Sequence, residues 1–100
     1  MQATTNAITS EKIIRELGYQ DPMDAARQQA RMILLGRRAH YEAEIKKLEG
    51  KWQSSLDEMR ARYQAVGNEN FELDDDLLSW QWYAEAIERI DNQLAILSGE

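Results

Sequence analysis

An all-α fold follows from three observations on this 100-residue chain. Apolar side chains recur at intervals of three and four over long stretches, the mark of amphipathic helices. Ala, Glu, Gln, Leu and Arg are abundant while Val and Pro occur once each, which is a helix former's composition. Capping residues also stand where the periodic runs begin and end. The expected architecture is a single helical domain over residues 1–100, with 1–9 disordered. A short N-terminal helix, a long helix with one candidate kink and a C-terminal helix form an antiparallel hairpin, paired into a dimeric bundle. At this length only about two-thirds of the unfolded surface can be buried, so a second chain would add to the core.

The short helix follows Ser10 in EKIIRELG. Ile13, Ile14 and Leu17 share one side, and Gly18 suits the left-handed closing position. In YQDPMDAAR, Asp21 can cap, Pro22 sits where a missing N–H costs nothing, and Asp24 places negative charge in the first turn. Met23, Ala26, Ala30, Ile33 and Leu34 then lead into Tyr41, Ile45, Leu48, Trp52, Leu56, Met59, Tyr63 and Val66. This is a seam for another helix, closed by Gly67 and the polar residues after it. Unbroken from Pro22 to Val66, such a rod would measure about 67 Å. Gly50, and Ser54 or Ser55 ahead of Asp57 and Glu58, mark where it could kink or restart.

The segment FELDDDLLSWQWYAEAIERIDNQLAIL places Asp74, Asp75 and Asp76 where the last helix is expected to start, one as cap and the others favoured by the helix dipole. Trp80, Tyr83, Ile87, Ile90, Leu94 and Leu97 then form a heptad seam against the long helix. Trp82 lies about 200° round the helix from Trp80 and cannot share that seam. With Leu78 it forms an apolar spot that is either core, reached by the N-terminal helix of the same chain, or a partner anchor flanked by Asp75 and Glu85. A last helix of about 23 residues would span roughly 35 Å, half the rod. The stripe from Met23 to Leu35 is more than the short N-terminal helix can hide, so an antiparallel dimer of hairpins is expected to cover it, with the seam residues among Tyr41–Tyr63 and Trp80–Leu94 serving both core and dimer.

Charge is unevenly placed. Met1–Lys51 carries nine Lys/Arg and seven Asp/Glu, whereas Trp52–Glu100 carries three and eleven, giving +2 and −8. The acidic half could meet a basic protein; Arg27, Arg31 and Arg38, at spacings of four and seven, could meet phosphates. Neither a helix-turn-helix pattern nor interleaved aromatics accompany that stripe. His40 and Glu44 make only an i, i+4 pair, and the sequence has no Cys, no Gly-rich phosphate loop and no nucleophile motif. No enzyme activity, metal or cofactor is expected. The longest apolar run is MILL at 32–35, and the first residues lack a signal-peptide pattern, so a cytoplasmic chain without a membrane span is expected.

Three stretches carry a resemblance: ELGYQDPMDAA, HYEAEIKKLEGKWQSSLDEMRAR and ELDDDLLSWQWYAEAIERI. Over residues 16 to about 95 the chain resembles small helical bacterial and archaeal antitoxin-like proteins encoded beside toxin genes. The matching positions are Gly18, Tyr19, Tyr41, Glu42, Glu44, Lys51, Trp52, Ser55, Asp75, Asp76 and Trp80; where those relatives tend to have Gly before the Ser, this chain has Gln53. The resemblance implies a protein that binds and neutralises a basic toxin, such as an RNase of the TumE type. Three readings follow: an antitoxin-like interaction protein, a self-assembling structural adaptor, and a nucleic-acid-associated regulator using the arginine stripe.

Overall fold

The computed structural model describes residues 8–66 and 70–99. Among them are four helices and no strand: α1 (Ser10–Glu16), α2 (Pro22–Trp52), α3 (Leu56–Val66) and α4 (Phe71–Gly99). The all-α expectation holds. Packing divides the chain into two units, Met1–Ile33 and Leu34–Glu100, with the boundary inside α2. The expected disorder of 1–9 falls mostly on 1–7, and the expected closure at Gly67 on 67–69; both stretches lie outside the described residues. No helix among the described residues is long and apolar enough to cross a membrane.

In the first unit, Thr9 rather than Ser10 caps α1. Its backbone is extended and its hydroxyl accepts from the Lys12 N–H at 3.1 Å, leaving Ser10 as the first helical residue. Adjacent hydroxyl residues are equally able to cap, so the spacing alone could not choose between them. Gly18, at φ +101°, ends the helix with both bonds of a Schellman turn, Gly18 N–H to Arg15 O and Tyr19 N–H to Ile14 O. Asp21 Oδ1 then accepts from the Asp24 N–H at 2.8 Å while Asp24 Oδ2 accepts from the Gln20 N–H at 3.1 Å. This reciprocal arrangement pins the start of α2, with Pro22 as its first residue.

In the second unit the expected rod breaks. Gln53 adopts φ +53°, Ser54 N–H reaches back to Glu49 O at 3.2 Å, and α2 stops at Trp52. Ser55 then opens α3 with a full capping box: its hydroxyl accepts from the Glu58 N–H at 3.2 Å and Glu58 Oε1 accepts from the Ser55 N–H at 3.0 Å. These bonds hold the Glu58 carboxyl below its ordinary pKa, the Ser55 backbone bond contributing most. The rod therefore ends in a true break rather than a kink, while the apolar stripe near its start stays open, with Met23, Met32, Ile33 and Leu35 all exposed. At 31 and 29 residues, α2 and α4 are about 47 and 44 Å long.

The start of α4 is also corrected. Asn70 is the cap, its side-chain oxygen accepting from the Leu73 N–H at 3.2 Å and its carbonyl from the Asp74 N–H at 2.9 Å. The helix begins at Phe71, so the three aspartates lie inside it and none caps it. Asn caps as well as Asp, and burial of Leu73 and Leu77 rewards the longer helix.

The core gathers on the inner face of α4. Trp80, Met59, Leu73 and Leu77 are buried, with Ile45, Leu48, Trp52, Leu56 and Tyr63 packed against them. Ala86 and Ile90 are buried further along α4. α2 packs against α4, and the two run antiparallel, since Arg38 pairs with Asp91 and Lys51 with Asp76. The seam expected to be shared between core and dimer is therefore spent within one chain over its central part.

Candidate functional site

Two surfaces of the second unit hold its distinctive side chains. The first is the junction of α2, α3 and α4. Trp52 Nε1 donates to Asp76 Oδ2 at 2.8 Å, and Lys51 Nζ lies 2.7 Å from the same oxygen and 3.1 Å from Glu72 Oε2. Lys51 also sits 5.4 Å from the Trp52 ring centroid. Burial pushes the Asp76 carboxyl up, but the bonds from Lys51 and Trp52 outweigh it and leave its pKa lowered. Asp76 is thus a strut between helices, a role hidden by its reading as a helix starter.

Asp74 faces α3. Hydrogen bonding to this carboxylate, helped by burial, raises the pKa of the Tyr63 hydroxyl. Asp74 Oδ1 itself is shut off from solvent and has no hydrogen-bond partner among the described residues. Beside it runs an open depression of about 550 Å³ between α3 and α4, with Arg60, Tyr63 and Gln64 on one wall and Asp74, Leu78 and Gln81 on the other.

The second surface is the outer face of α4. Leu78 is 68% exposed and Trp82 50%, and they share a shallow depression of about 300 Å³ with Ser79 and Tyr83. Asp75 and Glu85 are exposed as well. Trp82 is not wholly opposed to the seam, as it meets the Tyr41 ring edge-on at 5.2 Å and the Tyr83 ring at 5.6 Å. One edge is steadied by α2 while half the indole stays open. Arg89 lies 6.0 Å from the same ring, a cation–π partner on the exposed side chain's own helix. Trp80, two residues earlier, is 1% exposed.

The arginine stripe does not survive as a set of three open cations. Arg38 bonds Asp91 Oδ1 at 2.7 Å and Oδ2 at 3.2 Å, and lies 2.9 Å from Glu42. These bonds raise its pKa, Asp91 contributing most, and lower that of Asp91. Arg27 and Arg31 belong to the other unit. His40 is exposed beside Tyr41, and among the described residues no group of three or more His, Asp or Glu is placed to hold a metal ion.

Sequence reasoning missed Leu73, Leu77 and the Trp52–Asp76–Lys51 junction. The signal was present in the spacing of Leu73, Leu77 and Trp80, which continues the inner seam backwards by three and four. Starting the helix at the aspartates hid it. No family model matches the chain, and no curated protein or solved structure shows significant similarity to it.

Proposed function

We propose that this protein is a helical interaction module of antitoxin type, acting by binding rather than catalysis, whose acidic C-terminal half occludes a basic protein partner. The observation that carries the reading is the half-open Trp82 beside Leu78, flanked by exposed Asp75 and Glu85 on α4. An aromatic anchor held at one edge and open on the other combines low ordering cost with a large area to desolvate. The charge of −8 over Trp52–Glu100 supplies the field that steers a cationic partner. The resemblance to antitoxin-like proteins points the same way. Phosphate binding through Arg27, Arg31 and Arg38 is the weaker reading, because Arg38 is already engaged by Asp91 and Glu42.

The test is co-expression with the product of a neighbouring gene, followed by affinity measurement. A 1:1 or 2:2 complex that Trp82→Ala weakens about 30-fold, with helicity retained, is the expected result. Absence of any complex, or indifference to Trp82→Ala, overturns the reading.

A further inference from the structure

α4 carries a second heptad line behind its core seam. Phe71, Asp75, Leu78, Trp82, Glu85, Arg89, Asn92 and Ile96 advance alternately by four and three, and every one of them is exposed. Such spacing keeps one stripe facing a neighbouring helix over the whole length. The inner seam already packs within the chain, so a partner helix would have to lie on this outer line.

We propose that the outer line of α4 is a self-complementary interface, covered in the free protein by a second copy crossing antiparallel about a two-fold axis at Trp82. This rests on the reading of Leu78 and Trp82 as a docking face and names the occupant of that face when the basic partner is absent. The charges select the geometry. In a parallel pair, Asp75 would stack on Asp75, Glu85 on Glu85 and Arg89 on Arg89, each a like-charge contact. Asp75 and Arg89 each stand seven residues from Trp82, on opposite sides. An antiparallel crossing at Trp82 therefore sets Asp75 of one copy level with Arg89 of the other, and the two-fold repeats the pair. Glu85, three residues beyond Trp82, comes level with Ser79, three residues before it, so no like charges face each other. At the axis the open halves of the two indoles meet, and Arg89, held near Trp82, lies on the face that is closed. The partner and the second copy then compete for the same side chains, so self-association would hold the binding face shut until the partner displaces it.

The experiment is sedimentation equilibrium on the full chain, on Asp75→Arg, on Arg89→Asp, and on an equimolar mixture of the two variants. The wild type is expected to be a dimer, and each single variant to dissociate about tenfold more readily, because two attractive pairs become repulsive. The mixture should return to wild-type affinity, since in the mixed dimer each exchanged charge faces its opposite. Loss of fold cannot mimic that rescue, and circular dichroism on each variant should show wild-type helicity. A wild type that stays monomeric at millimolar concentration, or variants that mixing fails to rescue, overturns the proposal. A lysine-rich amphipathic helical peptide added to the wild-type dimer should dissociate it; peptide bound to an intact dimer would overturn the shared face. A monomer that still binds the basic partner through Trp82 removes the self-association and leaves the proposed function standing. A rescued dimer that binds no basic partner does the reverse.

Discussion

The inner and outer faces of α4 are written in the same period and meet opposite fates. Leu73, Leu77, Trp80 and Ile90 advance toward the core and are buried, while Leu78, Trp82 and Ile96 advance on the far side and are at least half exposed. Periodicity alone thus identifies helices with something to bury, without saying which stripe the chain itself covers. The decision comes from the return of α3 at Gln53, which packs Met59 and Tyr63 beside Leu73, Leu77 and Trp80. It also comes from charge, since the outer line mixes the ionised Asp75, Glu85 and Arg89 among its apolar residues and the inner one carries none.

The sharpest way to break this comparison is to truncate the two tryptophans separately. Trp80→Ala should open a cavity at the most deeply buried large side chain and cost about 3 to 5 kcal/mol of unfolding free energy. Trp82→Ala should cost about 1 kcal/mol, the worth of its edge contact with Tyr41 and its half-buried area. Chemical denaturation of both variants checks this, and equal losses would mean that the outer indole belongs to a core.

The junction residue Asp76 comes next. Asp76→Ala strips the acceptor from Trp52 Nε1 and from Lys51 and should cost about 1 to 2 kcal/mol, reduced by the partial exposure of the pair. The same group gives the fold an acid limit. Its folded pKa lies below the ordinary carboxylate value of 3.8, so its contribution is fully present above that value and is lost as pH falls through the lowered pKa. Asp91 and Glu58 are lowered too and act with the same sign. Melting temperature should therefore hold from neutrality to about pH 5 and fall steeply below pH 4. The fall should be shallower in Asp76→Ala, and an unchanged slope would assign the acid limit to other groups.

Much of this design was readable in advance. Asp21–Pro22, Gly18 and both heptad seams announce themselves by residue type and spacing. The acidic triplet misled because aspartates are as suited to starting a helix as to bracing one from inside. Only the register of the hairpin, which sets Trp52 against Asp76, tells the two apart, and register is a property of two segments at once. Helix angle separates Trp82 from Trp80, but its edge contact with Tyr41 depends on the same register. Asn70→Ala tests the corrected helix start, with an expected loss of about 1 kcal/mol; no change in the thermal melt would return the cap to the aspartates.

The smallest predicted effect is a gain, and it concerns the turn that separates the two faces. Gly18 and Gln53 close α1 and α2 with related turns, at φ +101° and +53°. Only glycine takes this left-handed region without a steric penalty, and a residue with a Cβ gives up about 1 kcal/mol there. Gln53 recovers part of that through the bond from its side-chain amide to Gly50 O at 2.8 Å, which is exposed and worth a few tenths of a kcal/mol against water. Gln53→Gly should therefore stabilise the fold by about 0.5 kcal/mol. Because the change relaxes the return of α3 onto the inner face and leaves the outer line untouched, the melting temperature should rise while dimer dissociation and partner affinity stay at wild-type values. A fall in stability would show that the Gln53 side chain, rather than the conformation of its backbone, holds the turn.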